Sequence, residues 1–280
     1  MNTAVDLPAS VDLEAMQDCF GRNGYALARG LFSKSEIDEI RTAFDRIAAG
    51  GPIPGYFDQV PSDQSDGDPL KQYPRVHHPH RIDDASRKYL IHPGVMTCLR
   101  SLMGDEVLAA QSMFYFKPPG ARGQAMHQDN FYLMVEPQTC VAAWTAIDDS
   151  DPDNGGMYLV EETANEEIAC PGTADPTVSF TTHLVPIPKG KRAVPCIMRA
   201  GDTLFFNGSM IHGSEPNRSK DRFRRAFICH YVPRSTVRIS KFYLPLLAPD
   251  GEEVMLEPNT GGGACGKDWL DEVVWEGSAH

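Results

Sequence analysis

The sequence predicts a mainly β protein with flanking helices, its strands layered as a sandwich or barrel with a jelly roll as one closed option. Three observations carry this. From Val107 onward, short runs rich in β-formers recur at 107–117, 139–147, 156–160, 178–185, 194–199, 202–206 and 225–232. Turn signals punctuate them, among them Pro118-Pro119-Gly120, Asn154-Gly155-Gly156 and Ala200-Gly201-Asp202. Short strands separated by residues that reverse the backbone are the pattern of all-β layers. Before residue 107, by contrast, the apolar residues fall at helical spacing.

The first predicted helix covers 11–22, with Leu13, Met16 and Phe20 on one face and Gly24 as the stop. A short strand-like run follows at 25–32. Ser33-Lys34-Ser35-Glu36 is a capping box, in which the serine side chain accepts from a free backbone N–H while the glutamate reaches back. Ile37, Ile40, Phe44 and Ile47 then form an apolar stripe that Gly50-Gly51 ends. Residues 51–70, rich in Pro, Gly, Asp and Ser, read as a loop. A third helix is expected after His92-Pro93, ending at Gly104 with Val95, Leu99 and Leu102 inward. The long stretch 161–193 reads as a lid or an insertion. Gly261-Gly262-Gly263 reads as a flexible tail, and no internal repeat is present.

With 280 residues and 41% hydrophobic content, the chain can bury a sizeable core. We expect one domain over 1–280, in which an N-terminal helical part (1–106) packs on a β core (107–247) followed by a C-terminal tail (248–280). A net charge of −12 and a pI near 5.2 argue against nucleic acid, whose phosphates need a basic surface, and against an anionic membrane surface. No apolar run approaches the roughly 20 residues that cross a bilayer, and the N-terminus lacks a secretory signal. Seven cysteines at 19, 98, 140, 170, 196, 229 and 265 contain no Cys-x-x-Cys pair. That scatter reads as reduced thiols in a cytoplasmic protein.

The chemistry is concentrated in His127-Gln128-Asp129. Residues two apart on extended backbone point the same way, so an imidazole and a carboxylate can converge on one metal ion. His212, in Phe205-Phe206-Asn207-Gly208-Ser209-Met210-Ile211-His212-Gly213-Ser214, is the candidate third ligand. Two histidines and a carboxylate on one face of an ion leave the other face open, as iron(II) oxygenases require. A His-x-Asp triplet by itself equally fits a hydrogen-bonded core histidine.

The surrounding pattern is more specific. Met113-Phe114-Tyr115-Phe116-Lys117-Pro118-Pro119, His127-Gln128-Asp129, Ala143-Trp144-Thr145-Ala146 and Asn154-Gly155-Gly156 are followed by Gly201-Asp202, His212-Gly213-Ser214 with Pro216-Asn217, and Phe223-Arg224-Arg225-Ala226. In that order, over roughly 107–232, the sequence resembles the phytanoyl-CoA dioxygenase family of iron(II)/2-oxoglutarate oxygenases. The resemblance implies a double-stranded β-helix (jelly roll, cupin-like) core. It implies iron(II) held by His127, Asp129 and His212, with 2-oxoglutarate as co-substrate and O2 as oxidant. It also implies an arginine about a dozen residues after the second histidine, binding the far carboxylate of 2-oxoglutarate.

Arg222, Arg224 and Arg225 are the candidates for that arginine, and a guanidinium's two parallel bonds suit a carboxylate. Arg224 matches the family run best, through Phe223-Arg224-Arg225-Ala226 and the Cys229-His230 that follows. On a strand, Arg224 and Arg225 face opposite sides, so only one can enter a barrel. The resemblance also places Met113, Gln128, Trp144 and Ser214 around the co-substrate, with Ser214 donating to its distal carboxylate. Trp144 and Met113 equally suit the core. Arg75 falls where the family can offer a basic residue to the pocket, or is a loop cation. His77, His78 and His80 read as loop or substrate-pocket residues, not a second metal site.

The expected activity is therefore hydroxylation of an unactivated C–H bond in a small organic substrate, releasing succinate and CO2. The intact Asp129 argues against halogenation, because related halogenases carry a small residue there. The rival readings are a cupin-type metal enzyme that does not use 2-oxoglutarate and a non-catalytic metal- or ligand-binding member of the fold. Acyl-CoA is one substrate option beside a natural product, an amino acid or a phosphonate, and no basic cluster awaits coenzyme A phosphates. Residues 51–82 and 161–193 are expected to shape the choice.

Overall fold

The computed structural model describes residues 7–137 and 139–260. Strands and helices are numbered in chain order. Two antiparallel sheets face each other. The larger runs β1 (Tyr25–Ala28), β10 (Thr203–Asn207), β5 (Val141–Ala146), β12 (Ala226–Pro233), β3 (Val107–Tyr115), β14 (Leu246–Leu247) and β15 (Glu253–Val254), with β2 (Val76–His77) also paired to β3. The smaller runs β4 (Gln124–His127), β11 (His212–Ser214), β6 (Met157–Val160) and β9 (Ala193–Pro195). Two short pairs complete it, β7 (Gly172–Thr173) with β8 (His183–Leu184) and β13 (Arg238–Ser240) with β16 (Glu257–Asn259).

Helices cover the outer face of the larger sheet. α1 (Leu13–Asn23) starts on Asp12, whose side chain accepts from Ala15 N at 3.0 Å. α2 (Lys34–Ala49) carries the capping box, with Ser33 N donating to Glu36 Oε2 at 2.8 Å and Glu36 N to Ser33 Oγ at 3.3 Å. α3 (Pro69–Gln72) and α4 (Asp84–Leu90) follow. Then comes α5 (Pro93–Met103), which begins after His92 and ends at Gly104 as its sequence requires. Phe44 of α2 stacks on Phe114 of β3 with ring centroids 3.7 Å apart, locking helix to sheet.

Every residue of β3, β5 and β12 is buried. One face of these strands packs under the helices and the other lines the space between the sheets, so they read as near-continuous apolar runs. On β12, Phe227, Cys229 and Tyr231 join the helical side, while Ala226 and Ile228 join a second cluster with Met113, Trp144, Met157 and Leu159 between the sheets. Polar residues on the inner face, Gln111 and His230, are thereby buried against the interior.

The strand-like run expected at 25–32 is present as β1, which pairs with β10 in full register from Tyr25↔Phe206 to Ala28↔Thr203. The 51–70 region is a loop, as expected, with α3 beginning only at Pro69. Other expectations are corrected. The C-terminal stretch beyond 247 re-enters the sheets through β15 and β16. The strand expected at 178–185 shrinks to β8. The 161–193 stretch is stitched to β4 by Gly123 N to Val178 O at 2.8 Å, Phe180 N to Gly123 O at 2.9 Å and Val185 N to Met126 O at 2.7 Å. Cys170 within it is disulfide-bonded, so the expectation of uniformly reduced thiols fails there, and with it part of the basis for a cytoplasmic setting. The Gly261–Gly263 expectation lies outside the described residues. Among the described residues, no helix is long and apolar enough to cross a membrane.

Candidate metal and co-substrate site

His127, the last residue of β4, and His212, the first of β11, are direct register partners across the antiparallel pair. Their rings lie 4.1 Å apart between centroids. Each solves the same local problem in the same way: His127 Nδ1 meets Ala125 O at 2.9 Å and His212 Nδ1 meets Met210 O at 3.0 Å. A carbonyl only accepts, so each Nδ1 carries the proton and each Nε2 keeps a lone pair for a metal. Asp129 Oδ1 lies 3.6 Å from His127 Nε2 and 3.5 Å from His212 Nε2.

Asp129 reaches this point from a turn and not from the extended backbone its spacing suggests. The strand ends at His127, and Asp129 has helical angles (φ −63°, ψ −38°) at the entry to α6 (Asn130–Leu133). The turn, not two-residue strand alternation, brings the carboxylate round. Burial works to raise the Asp129 carboxyl, but His212 and His230, with contact from His127, hold it well below the usual range. Burial pushes His212 down to about 4, against the pull of Asp129. Asp129 Oδ2 is buried and makes no well-formed hydrogen bond, although His230 Nε2 stands 3.1 Å away. The three ligand atoms lie within 4.8 Å of one another, the only such group among the described residues. Two imidazole Nε2 atoms and a carboxylate oxygen converging on one point fit a divalent ion of the iron(II) kind.

The triad lines a cavity of 90 Å³ that also exposes Arg224, Ser214, Met113, Trp144 and Arg75. Arg224 is buried, its Nε donates to Gly155 O at 3.1 Å, and its guanidinium carbon lies 5.2 Å from the centre of the Trp144 ring. Behind Ser214, Lys117 is also buried, with Nζ 2.8 Å from Ser214 Oγ. Burial, then the neighbouring Arg224, pulls Lys117 well below the usual lysine range. Burial lowers Arg224 to about 10. Among the described residues neither cation has a carboxylate partner, an arrangement that favours an anionic ligand. Arg222 and Arg225, in contrast, are spent on Asp151 at 2.6 Å and Asp148 at 2.8 Å.

Gly155 makes this wall possible. At φ +76° a side chain there is strained, and a Cβ would lie 2.6 Å from both Lys117 Cε and Glu215 O. The Asn154-Gly155-Gly156 turn therefore lets a bare carbonyl approach Arg224.

A model of the phytanoyl-CoA dioxygenase family matches residues 20–226. The chain belongs to the phytanoyl-CoA dioxygenase family. It is 26% identical over 230 residues to bovine (Bos taurus) peroxisomal phytanoyl-CoA dioxygenase, covering 76% of this chain but only 66% of that protein. Its fold is similar to that of the carbocyclase SnoK from nogalamycin biosynthesis, a non-haem, alpha-ketoglutarate-dependent enzyme (TM-score 0.65, 19% identity, 84% of this chain and 89% of that one). It is also similar to the epimerase SnoN in complex with Fe3+, alpha-ketoglutarate and nogalamycin RO (TM-score 0.63, 19% identity, 80% and 85%). These likenesses establish the double-stranded β-helix of the family as the fold.

Within this phytanoyl-CoA dioxygenase family member, Gln128 does not reach the cavity. Its amide nitrogen donates to Glu167 O at 3.1 Å and Ser209 O at 2.7 Å, and its oxygen accepts from Ala169 N at 2.8 Å. It pins the 161–193 stretch instead of contacting a co-substrate. His77 lines the cavity, whereas His78 and His80 do not. His80 Nδ1 pairs with Ser112 Oγ at 2.7 Å. Lys117 and His230 carry no role on sequence grounds, yet both face the site. His230 is detectable by parity, since it continues the alternation of Ile228 on β12; Lys117 is not, because it lies past the end of β3 with φ +43°.

Proposed function

We propose that the chain is an iron(II)- and 2-oxoglutarate-dependent oxygenase that hydroxylates a C–H bond of a small organic substrate. The observation that carries this is a single buried cavity with His127, Asp129 and His212 on its wall and the carboxylate-free cation Arg224 on the same wall. Iron(II) with 2-oxoglutarate supplies O2 activation, one oxygen atom going to the substrate and the other to succinate as CO2 leaves.

The chain's own groups do the rest. The carbonyls of Ala125 and Met210 fix the two imidazole tautomers, so both Nε2 atoms point at the metal position. Arg224 and Ser214 receive the distal carboxylate, with Lys117 adding charge behind Ser214 and Trp144 supporting the guanidinium. Met113, Met157, Phe206 and Ile228 keep the interior dry, which strengthens each of those contacts. Asp129 fills the position that would have to be vacant for a halide.

The test is conversion of 2-oxoglutarate to succinate by purified protein with iron(II), first without added substrate. Absence of succinate from the wild type, or unchanged formation by Asp129→Ala, would end this reading. The similarity to an epimerase and a carbocyclase supports a second oxidative outcome, such as ring formation, on the same site. Whether the product gains one oxygen atom separates the two.

A further inference from the structure

The triad cavity has two unlike ends. β3 and β12 cross it side by side, in the register Ala226↔Tyr115, Ile228↔Met113 and His230↔Gln111. Arg224 and Lys117 stand just beyond the first of these pairs, and Arg75 joins them by donating to Tyr115 Oη at 3.2 Å. Positive charge therefore gathers at the Tyr115 end, where the co-substrate carboxylate is received. Gln111 lies four residues further along β3, roughly 13 Å away at about 3.3 Å per strand residue. Tyr243 also lines the cavity and packs in one cluster with Ala110, the neighbour of Gln111.

The far end is polar and uncharged. Gln111 is only 6% exposed and lines the cavity, yet its side-chain amide makes no hydrogen bond with any described residue. The hydroxyl of the buried Tyr243 makes none either. A buried amide cut off from water and left unpaired is costly to keep, so its presence calls for a reason. The strand is also shaped for it. Between His230↔Gln111 and Tyr231↔Ala109 the register slips by one residue, so Ala110 is the extra residue of a bulge. Bulges re-aim side chains beside functional sites, and this one turns both Ala110 and Gln111 toward the space between the sheets.

We infer that Gln111 is a specificity-determining residue that receives a neutral donor–acceptor group of the substrate, an amide or an alcohol, with the Tyr243 hydroxyl as second partner. This rests on the oxygenase reading of the same cavity and names its substrate class. A carboxylate is disfavoured there: His230, the register partner of Gln111, has its Nε2 3.1 Å from Asp129 Oδ2, so a second anion would sit close to the first. An ammonium lacks a counter-charge, because Asp129 is the only acid among the described residues that line the cavity and it serves the metal.

The test is calorimetric binding to the full chain loaded with iron(II) and 2-oxoglutarate under nitrogen. Four probes share one phenyl body: 3-phenylpropanamide, 3-phenylpropan-1-ol, 3-phenylpropanoate and its methyl ester, which accepts but cannot donate. The amide or the alcohol should bind about tenfold or more tightly than both acid and ester, as two buried hydrogen bonds imply. The order of those two tells amide from alcohol. Gln111→Met, which keeps the length without the amide, should erase the preference and leave the Kd for 2-oxoglutarate within about twofold. Gln111→Asn should keep part of the preference. The assignment is overturned if neither the amide nor the alcohol outbinds acid and ester in the wild type, a comparison that needs no variant. It is equally overturned if Gln111→Met keeps the preference, or weakens 2-oxoglutarate binding instead. The expected preference without any succinate formation would sink the oxygenase reading and leave the polar recess standing.

Discussion

His127 and His212 face each other as register partners across β4 and β11, each with its Nδ1 proton held by the carbonyl two residues earlier. Because backbone fixes both rings, the metal site is largely built before an ion arrives. Manganese(II), a redox-quiet surrogate, should therefore raise the melting temperature of the wild type. At a free-ion concentration a hundredfold above Kd the stabilisation is about 2.7 kcal/mol. Asp129→Ala should abolish the rise together with succinate formation. A full rise in that variant would place the ion elsewhere.

Arg224 and Arg225 are adjacent in sequence and opposite in fate, one buried under Trp144 and the other paired with Asp148. Truncating a buried charged partner costs about 2–5 kcal/mol. Arg224→Ala should therefore raise the Kd for 2-oxoglutarate by at least about thirtyfold, measured by calorimetry. Arg222→Ala and Arg225→Ala should change it by less than about twofold. A large effect at Arg225 would mean that the strand presents the other face to the cavity.

The longest strands that the sequence discloses are buried on both faces. β3, β5 and β12 announce themselves as apolar runs because neither side meets water. β4 and β11, which carry the two histidines, did not: Gln124–His127 and His212–Ser214 are too short and mixed to show a period. The triad was legible through residue type and spacing, yet the reason Asp129 converges was not, because a helical turn at one residue leaves no periodic trace. Gln128 is illegible for a different reason, since its role depends on the distant backbone of Glu167, Ala169 and Ser209. α4 went unread, since seven residues carry too little amphipathic signal.

His80 gives the fold a pH limit. Burial, with Arg81 and Arg87 nearby, lowers its pKa to about 3. Between that value and the ordinary 6.5 of an unfolded chain, the unfolded state binds a proton that the native state does not. Stability therefore rises with pH across this window and is lost as pH falls from about 6.5 toward 3, by up to about 1.4 kcal/mol per pH unit. His80→Gln should flatten that part of the acid limb in denaturant titrations. An unchanged slope would show that His80 takes up its proton in the folded protein.

Lys117 separates stability from binding. A buried ammonium with, among the described residues, the Ser214 hydroxyl as its side-chain partner is costly to keep, and Arg224 nearby adds repulsion. Methionine fits a similar volume without the charge. Lys117→Met should therefore make the protein free of co-substrate more stable, by on the order of 1 kcal/mol. The same change removes a charge from the end of the pocket, so the Kd for 2-oxoglutarate should rise about tenfold. The stabilisation that 2-oxoglutarate confers in a thermal melt should shrink in parallel. Lower stability with unchanged affinity would instead make Lys117 a structural post for Ser214. The opposite signs expected for the two readouts are what a cation kept for a ligand's sake must show.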